Sequence, residues 1–141
     1  MQARVLTPGG EALLIAAARI VDDDEVPSPE RARALLADPS FVAVAALEDG
    51  APVGLTYGHV LPQLTRTGLL IYSVDTAEGY RRRGAARAMI AALGQLCRTR
   101  GWYEMWVLTS AANEPAMRLY EACGGVREPV DDVMWVFPIE G

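Results

Sequence analysis

The sequence has little cysteine and little histidine, which limits the chemistry that it can support. It contains 2 Cys and 1 His among 141 residues. A disulfide framework or a zinc site needs several such residues at defined spacings. Cys97 and Cys123 fall in apolar, helix-like stretches, which predicts buried free thiols. We therefore expect no metal site, with His59 an ordinary polar residue of a strand.

Basic residues are outnumbered, and long apolar runs are missing. The 13 Lys and Arg face 18 Asp and Glu, for a net charge of -5. This balance argues against a nucleic-acid partner, because phosphate binding there depends on clustered, unopposed positive charge. No apolar run approaches the roughly 20 residues that span a bilayer, and no charged-then-apolar leader opens the sequence. We expect a cytoplasmic protein without a membrane partner.

The sequence patterns indicate a single domain that contains both strands and helices. With 141 residues and 51% hydrophobic content, the chain predicts a single domain over residues 1–141. The patterns predict strands at residues 3–6, 41–47, 53–60, 67–74, 104–109 and 133–139, and helices near residues 10–21, 28–36, 84–100 and 113–123. This order predicts an α/β (α+β) fold, with a mixed, mostly antiparallel central sheet flanked by helices.

A turn rich in arginine and small residues lies between a predicted strand and a predicted helix. Its residues are Arg81, Arg82, Arg83, Gly84, Ala85, Ala86 and Arg87. Such a turn leaves backbone N–H groups free at the helix N-terminus, and the small side chains let a ligand approach them. Together with the arginines, this predicts a seat for a pyrophosphate. The alternative is an ordinary helix start with a solvated basic turn.

The next predicted helix carries one face with a polar residue at each end. Asn113, Ala116, Met117 and Tyr120 share that face, because residues three, four and seven apart line up on a helix. Tyr120 taken alone is either a core aromatic with a satisfied hydroxyl or a proton donor. Asn113 can contact a ligand, cap the helix, or do both.

Taken in order, the two motifs resemble those of the GCN5-related N-acetyltransferase (GNAT) superfamily. The first is Arg81-x-x-Gly84-x-Ala86, with alanine where the superfamily most often has glycine. The second is Asn113-x-x-Ala116-x-x-x-Tyr120. The resemblance covers nearly the whole chain and implies an acetyl-CoA-dependent enzyme that acetylates an amine.

The resemblance also implies roles for individual residues. Backbone amides of the turn from Arg82 to Arg87 would hold the acetyl-CoA pyrophosphate. The backbone of Val74, Asp75 and Thr76 would pair with the pantetheine arm and polarise the thioester carbonyl, in a gap where this strand splays from the next. Tyr120 would protonate the departing thiolate, since a phenol with a pKa near 10 is protonated at neutral pH. Transfer would be direct, in a ternary complex without a covalent acyl-enzyme.

Within the superfamily, the chain looks most like the aminoglycoside 3-N-acetyltransferases, with two departures. Those enzymes follow the equivalent of Tyr72 with an aspartate that faces the amine, where this chain has Ser73. They also carry an acid at the end of the next strand, where residues 108–110 are Leu-Thr-Ser. Asp75 lies two residues beyond Ser73, so both side chains share a face of a regular strand. We therefore hypothesise that Asp75 supplies the missing carboxylate. A bulge there would break the argument, and a solvated loop acid is the alternative.

Several alternatives stay open at this stage. The acceptor could be a peptide or protein amine rather than a small cationic molecule, and the domain could be a non-catalytic acyl-CoA-binding module. Glu104 is a second candidate base, and the acidic run at residues 22–25 could border the acceptor groove or be a solvated loop. The last predicted strand, with Trp135 and Phe137, could pair across a homodimer edge.

Overall fold

The computed structural model describes residues 1–128 and 131–139 and consists of one sheet with helices on both faces. The elements are β1 Gln2–Val5, α1 Glu11–Val21, α2 Pro29–Ala37, β2 Phe41–Glu48, β3 Ala51–Pro62, β4 Thr67–Thr76, α3 Ala85–Arg100, β5 Met105–Val107 and α4 Glu114–Ala122. The strands lie in the order β1-β2-β3-β4-β5. All neighbouring strands are antiparallel except β4 and β5, which are parallel. The predicted mixed, mostly antiparallel sheet is confirmed.

The helix starts follow from local sequence chemistry. Ser28 precedes a proline at the first helical position, and its Oγ accepts a hydrogen bond of 3.0 Å from the amide of Arg31. In α4 the side chain of Asn113 does the same for the amide of Ala116, at 3.2 Å. These bonds satisfy amides that have no partner inside a helix, so both boundaries were predictable.

Two apolar cores lie on opposite faces of the sheet. Alternate residues of β2 serve the two cores, because side chains in a strand point to opposite faces. Ala43, Ala45 and Leu47 pack under α1 and α2. Val42, Val44 and Ala46 pack under α3, around its fully buried residues Met89 and Leu93. Strand β2 is therefore buried on both faces and anchors the sheet.

Strand β4 contains a bulge just before the residues that matter for the site. Tyr57 pairs with Ser73 and Gly58 pairs with Ile71, which leaves Tyr72 as the extra residue. A Cβ at Gly58 would collide with the carbonyl oxygen of Leu70, so glycine allows the close approach at the bulge. Pairing is regular again from residue 73 to residue 76.

Strands β4 and β5 separate along their length. They pair at three positions, and the last pair is Ile71 with Val107. Strand β4 continues to Thr76, whereas β5 ends at Val107. The edge of β4 beyond Ile71 therefore has no β5 ladder beside it, which produces the gap that the family resemblance implied.

The predicted last strand at residues 133–139 is wrong. The structure gives residues 131–139 no regular secondary structure. Val133, Trp135 and Phe137 are 74%, 80% and 81% exposed. A strand is stabilised by a hydrogen-bonded neighbour and by burial of alternate side chains, and among the described residues this segment has neither. The apolar alternation alone misled the prediction, and the proposed edge for a homodimer loses its strand.

The remaining expectations concern thiols, metals and membranes. Both cysteines are free; Cys97 is buried as predicted, but Cys123 is only half-buried, a correction that follows from its place at the exposed end of α4. Among the described residues, no three His, Cys, Asp or Glu side chains form a group that could hold a metal ion. None of the helices in residues 1–128 and 131–139 has the length and apolarity to cross a membrane.

Candidate active site

A cavity of about 710 Å³ lies between the end of β4, the turn before α3, and α4. Its walls contain nearly all of the residues that the sequence motifs singled out. The lining consists of Val74, Asp75, Thr76, Tyr80, Arg81, Arg82, Gly84, Ala85, Ala86, Arg87, Asn113, Pro115, Ala116, Leu119 and Tyr120. The fold thus brings the two motifs, more than 20 residues apart in the sequence, to one place.

The turn before α3 presents unpaired backbone amides. Gly84 precedes the helix with φ 88° and makes no side-chain cap. Gly79 and Arg82 also have positive φ, at 89° and 65°. Within the described residues, no turn, cap or side-chain hydrogen bond uses an amide of residues 81–87. These amides and the positive end of a 16-residue helix form a concave site for an anion.

The opposite wall is the free edge of β4. Val74, Asp75 and Thr76 lie where the β5 ladder has ended, so this edge can hydrogen-bond an extended ligand. The segment is held from behind by Thr56, whose fully buried hydroxyl donates a hydrogen bond of 2.7 Å to the carbonyl of Ser73. That bond fixes the backbone immediately after the bulge.

Tyr120 projects into the cavity from α4. Its side chain is half-buried. Burial raises the pKa of the Tyr120 hydroxyl above its ordinary value, and the charges of Asp75 and Cys123 raise it further. The phenol therefore stays protonated through neutral and mildly alkaline pH, which is the state that a proton donor requires.

Asp75 and Ser73 share a face of β4. The Ser73 hydroxyl donates a hydrogen bond to Oδ2 of Asp75. The bulge that could have broken this arrangement occurs one residue earlier, at Tyr72, so alternation holds from residue 73 to residue 75. Asp75 lies inside β4 rather than in a loop, and it is exposed at the cavity wall.

Other candidate residues lie elsewhere. Arg83 is outside the cavity lining, because its guanidinium forms a 3.0 Å ion pair with Glu48. Glu104 is also outside the lining; it precedes β5 at the paired end, and its carboxylate accepts a 2.9 Å hydrogen bond from the Trp106 indole. The acidic run at residues 22–25 is an exposed loop.

The sequence reasoning missed a cluster of four rings that we call the aromatic wall. It consists of Phe41, Tyr57, His59 and Tyr72, from three neighbouring strands. Strand alternation with an assumed regular β4 puts Tyr72 on the opposite face from Ser73. The bulge re-aims Tyr72, and Gly58 was the one local signal that could have indicated it.

A comparison with models of protein families identifies the family of this chain. The model of the acetyltransferase (GNAT) family matches residues 12–125 of the chain. The chain belongs to the GNAT family. A GNAT protein is an acetyltransferase, so the expected N-acetyltransferase activity agrees with this membership. Comparison with curated protein sequences gives no significant match.

Solved structures of GNAT proteins superpose over nearly the full chain. An aminoglycoside acetyltransferase, HMB0005, from an uncultured soil metagenomic sample is 33% identical, with a TM-score of 0.84 over 99% of this chain and 98% of the other. A second one from soil, meta-AAC0020 in complex with sisomicin, is 19% identical, with a TM-score of 0.85 over 97% and 96% of the chains. AAC(6')-Iy in complex with a bisubstrate analogue containing CoA is 16% identical, with a TM-score of 0.79 over 98% of each chain. The last two identities are low and support the fold alone.

Proposed function

We propose that this GNAT enzyme transfers an acetyl group from acetyl-CoA to a primary amine of a small cationic molecule, directly and with both substrates bound. One observation carries the proposal. The free amides before α3, the free edge of β4 and the Tyr120 hydroxyl all face the same cavity. An anion seat, an extended binding edge and a proton donor are the three parts that an acyl-CoA transferase needs.

The turn residues fit the phosphate end of acetyl-CoA. Pyrophosphate oxygens would accept hydrogen bonds from the amides of Ala85, Ala86 and Arg87, with Arg81 and Arg82 adding charge at the rim. Gly84 has open space around its Cα, since a Cβ there would meet no atom within 4 Å. The ligand can therefore approach the backbone closely.

Tyr120 and Asp75 would take part in the proton transfers of the reaction. As the amine nitrogen bonds to the thioester carbonyl carbon, the carbon–sulfur bond breaks and Tyr120 gives its proton to the sulfur. An acceptor that arrives as an ammonium first releases one proton to solvent, and the neutral amine then attacks. During the transfer this amine loses one further proton, which returns to the Tyr120 oxygen through water beside Asp75. The products are an amide and CoA with its thiol, so protons balance. Burial and the charge of Asp75 raise the pKa of the phenol, so Tyr120 carries its proton at neutral pH before the transfer.

Charge and one relative support the proposed acceptor class. The chain carries a net charge of -5 and presents Asp75 at the cavity wall, which favours a cationic acceptor. The 33% identical structure is described as an aminoglycoside acetyltransferase, which supports an amine carried on a small molecule. Ser73 stands where the aminoglycoside enzymes are expected to have an aspartate, so we place Asp75 in that role.

The test measures CoA thiol release with aminoglycosides, polyamines, amino acids and short peptides as acceptors. The chain's 13 basic residues are all arginine, so an acetyl label on the protein's own lysines cannot obscure the product. We expect one cationic amine to give turnover, and Tyr120→Phe to lower kcat about 100-fold or more. Tyr103→Phe is the matched control, since Tyr103 lies outside the cavity lining.

Three outcomes separate the possibilities. Turnover of a small amine that collapses in Tyr120→Phe and survives in Tyr103→Phe supports the proposal. Turnover of peptides alone replaces the acceptor class. Small-amine turnover that Tyr120→Phe leaves intact removes the proton-donor role.

A further inference from the structure

Part of the ring surface of the aromatic wall is exposed to solvent and does not contribute to the hydrophobic core. Tyr57 stacks on Tyr72, with ring centroids 5.5 Å apart and ring planes 27° apart. Tyr57 and Phe41 are half-buried against the core under α1 and α2. Tyr72 is different, because it is 68% exposed. Its outer ring surface therefore stabilises little of the fold and is available to a ligand.

Carboxylates lie near this wall. Burial raises the pKa of Tyr57, and the charges of Tyr72, Glu25 and Asp75 raise it further. The Asp75 carboxylate lies on the same face of the sheet as Tyr57, because it accepts a hydrogen bond from Ser73, the register partner of Tyr57. The face of an aromatic ring carries negative electrostatic potential, and nearby carboxylates strengthen it. The surface therefore suits a cation better than an anion or a neutral apolar group.

The aromatic wall lies next to the candidate active site. Asp75 lines the cavity and accepts a hydrogen bond from Ser73, the register partner of Tyr57. Two residues along a strand span about 7 Å. An amine held beside Asp75 would therefore leave the other end of its molecule over Tyr72 and Tyr57.

We propose that the aromatic wall receives a second cationic group of the acceptor, so that the enzyme prefers amines with two ammonium groups about 7 Å apart over monoamines. One amine is acetylated beside Asp75, while the other rests on the ring face of Tyr72. This inference rests on the proposed function and adds a specificity determinant to it.

The test compares a diamine with a monoamine of equal chain length, cadaverine and pentylamine. We expect kcat/KM for cadaverine to exceed that for pentylamine about tenfold, the size of a partly desolvated cation–ring contact. Tyr72→Leu should lower this ratio about fivefold, while Tyr72→Phe should keep it because phenylalanine retains the ring. The matched control is Tyr103→Leu, which removes an exposed tyrosine near β5 and should leave the ratio unchanged.

The outcomes are separable from those of the proposed function. A ratio that Tyr72→Leu leaves unchanged, or that falls equally in Tyr72→Phe, overturns the inference while acetyl transfer stands. Should the wild type acetylate neither amine, the proposed function fails for this acceptor class. Calorimetric binding of cadaverine in the presence of CoA then decides the inference. Binding that weakens in Tyr72→Leu and not in Tyr103→Leu supports the wall, and binding that ignores Tyr72 overturns it.

Discussion

The two sides of the candidate active site are built in different ways. The proposed cofactor side consists mainly of backbone: the amides of residues 81–87 and the edge of β4 at residues 74–76. The proposed acceptor side consists of side chains from separate strands, namely Phe41, Tyr57 and Tyr72. Backbone groups are common to every sequence that adopts the fold, whereas side chains change with each substitution. The cofactor side is therefore set by the fold, and the acceptor side is where specificity can diverge.

The largest effect on acetyl-CoA binding should come from a charge placed in the backbone site. Ala86→Glu puts a carboxylate beside the free amides, where it competes with the pyrophosphate and repels it. We expect acetyl-CoA to bind about 100-fold more weakly, the equivalent of two lost charge-assisted hydrogen bonds. The thermal midpoint should not fall, because a negative charge stabilises a helix N-terminus. Binding and melting can be measured on the same preparation.

Gln95→Glu provides the matched control for that prediction. It makes the same charge change on an exposed position of the same helix, away from the cavity lining. Equal weakening in both variants would mean that net charge, and not the anion seat, governs binding. The claim that backbone amides form the cofactor side would then be wrong.

The second prediction concerns Asp75, which belongs to both sides. Asp75→Asn should lower kcat about 100-fold, the typical contribution of a proton-transfer group, and change acetyl-CoA binding little. The alkaline limb of kcat should also move to lower pH. That sign follows because the Asp75 charge raises the pKa of Tyr120, so its removal lowers that pKa.

Two results would contradict this role for Asp75. Unchanged turnover would mean that Asp75 is a solvated acid without a catalytic role, which was the alternative interpretation of the sequence. A fall in kcat with an unmoved alkaline limb would separate Asp75 from Tyr120. The Asn side chain can still accept the Ser73 hydrogen bond, so local structure is preserved.

The same contrast explains what could be predicted from the sequence. The cofactor side is encoded in two short stretches around Gly84 and Tyr120, and helix starts such as Ser28 carry their caps beside them. The aromatic wall depends on register between β2, β3 and β4 and on a bulge at Tyr72, neither of which is written in any one segment.

The wrongly predicted last strand has a related cause. Residues 133–139 alternate in the way that a strand does, but alternation indicates a strand only when a neighbour is available to complete the ladder. Strand propensity depends on the local sequence, whereas strand pairing depends on residues that are distant in the sequence. The prediction therefore failed where a strand pattern had no neighbouring strand to pair with.

A third prediction sharpens the description of the arginine turn. Arg81 lines the cavity, whereas Arg83 pairs with Glu48 and lies 5.4 Å from the centroid of the Tyr80 ring. Arg81→Ala should raise the KM for acetyl-CoA about tenfold, and Arg83→Ala less than threefold, since a partly exposed ion pair contributes little. The pair of variants controls for charge, because each removes one positive charge from the same turn. A larger effect from Arg83 would show that its side chain, and not only its backbone, serves the cofactor.

The smallest effect tests how the acceptor side is held in place. Asp38 accepts hydrogen bonds of 2.8 Å from the amide and the hydroxyl of Ser40, the residue before Phe41 of the aromatic wall. These bonds, the one from the amide foremost, hold the pKa of Asp38 below its ordinary value. A lowered pKa in the folded state means that the stabilisation is fully present above about pH 4 and is lost as the pH falls through the folded-state pKa. Asp38→Asn should therefore lower the thermal midpoint slightly at pH 7, and the difference from wild type should shrink as the pH falls below 4. A difference that persists at low pH would assign the effect to packing, and the entry to β2 would then be held by contacts that the Asp38 charge does not control.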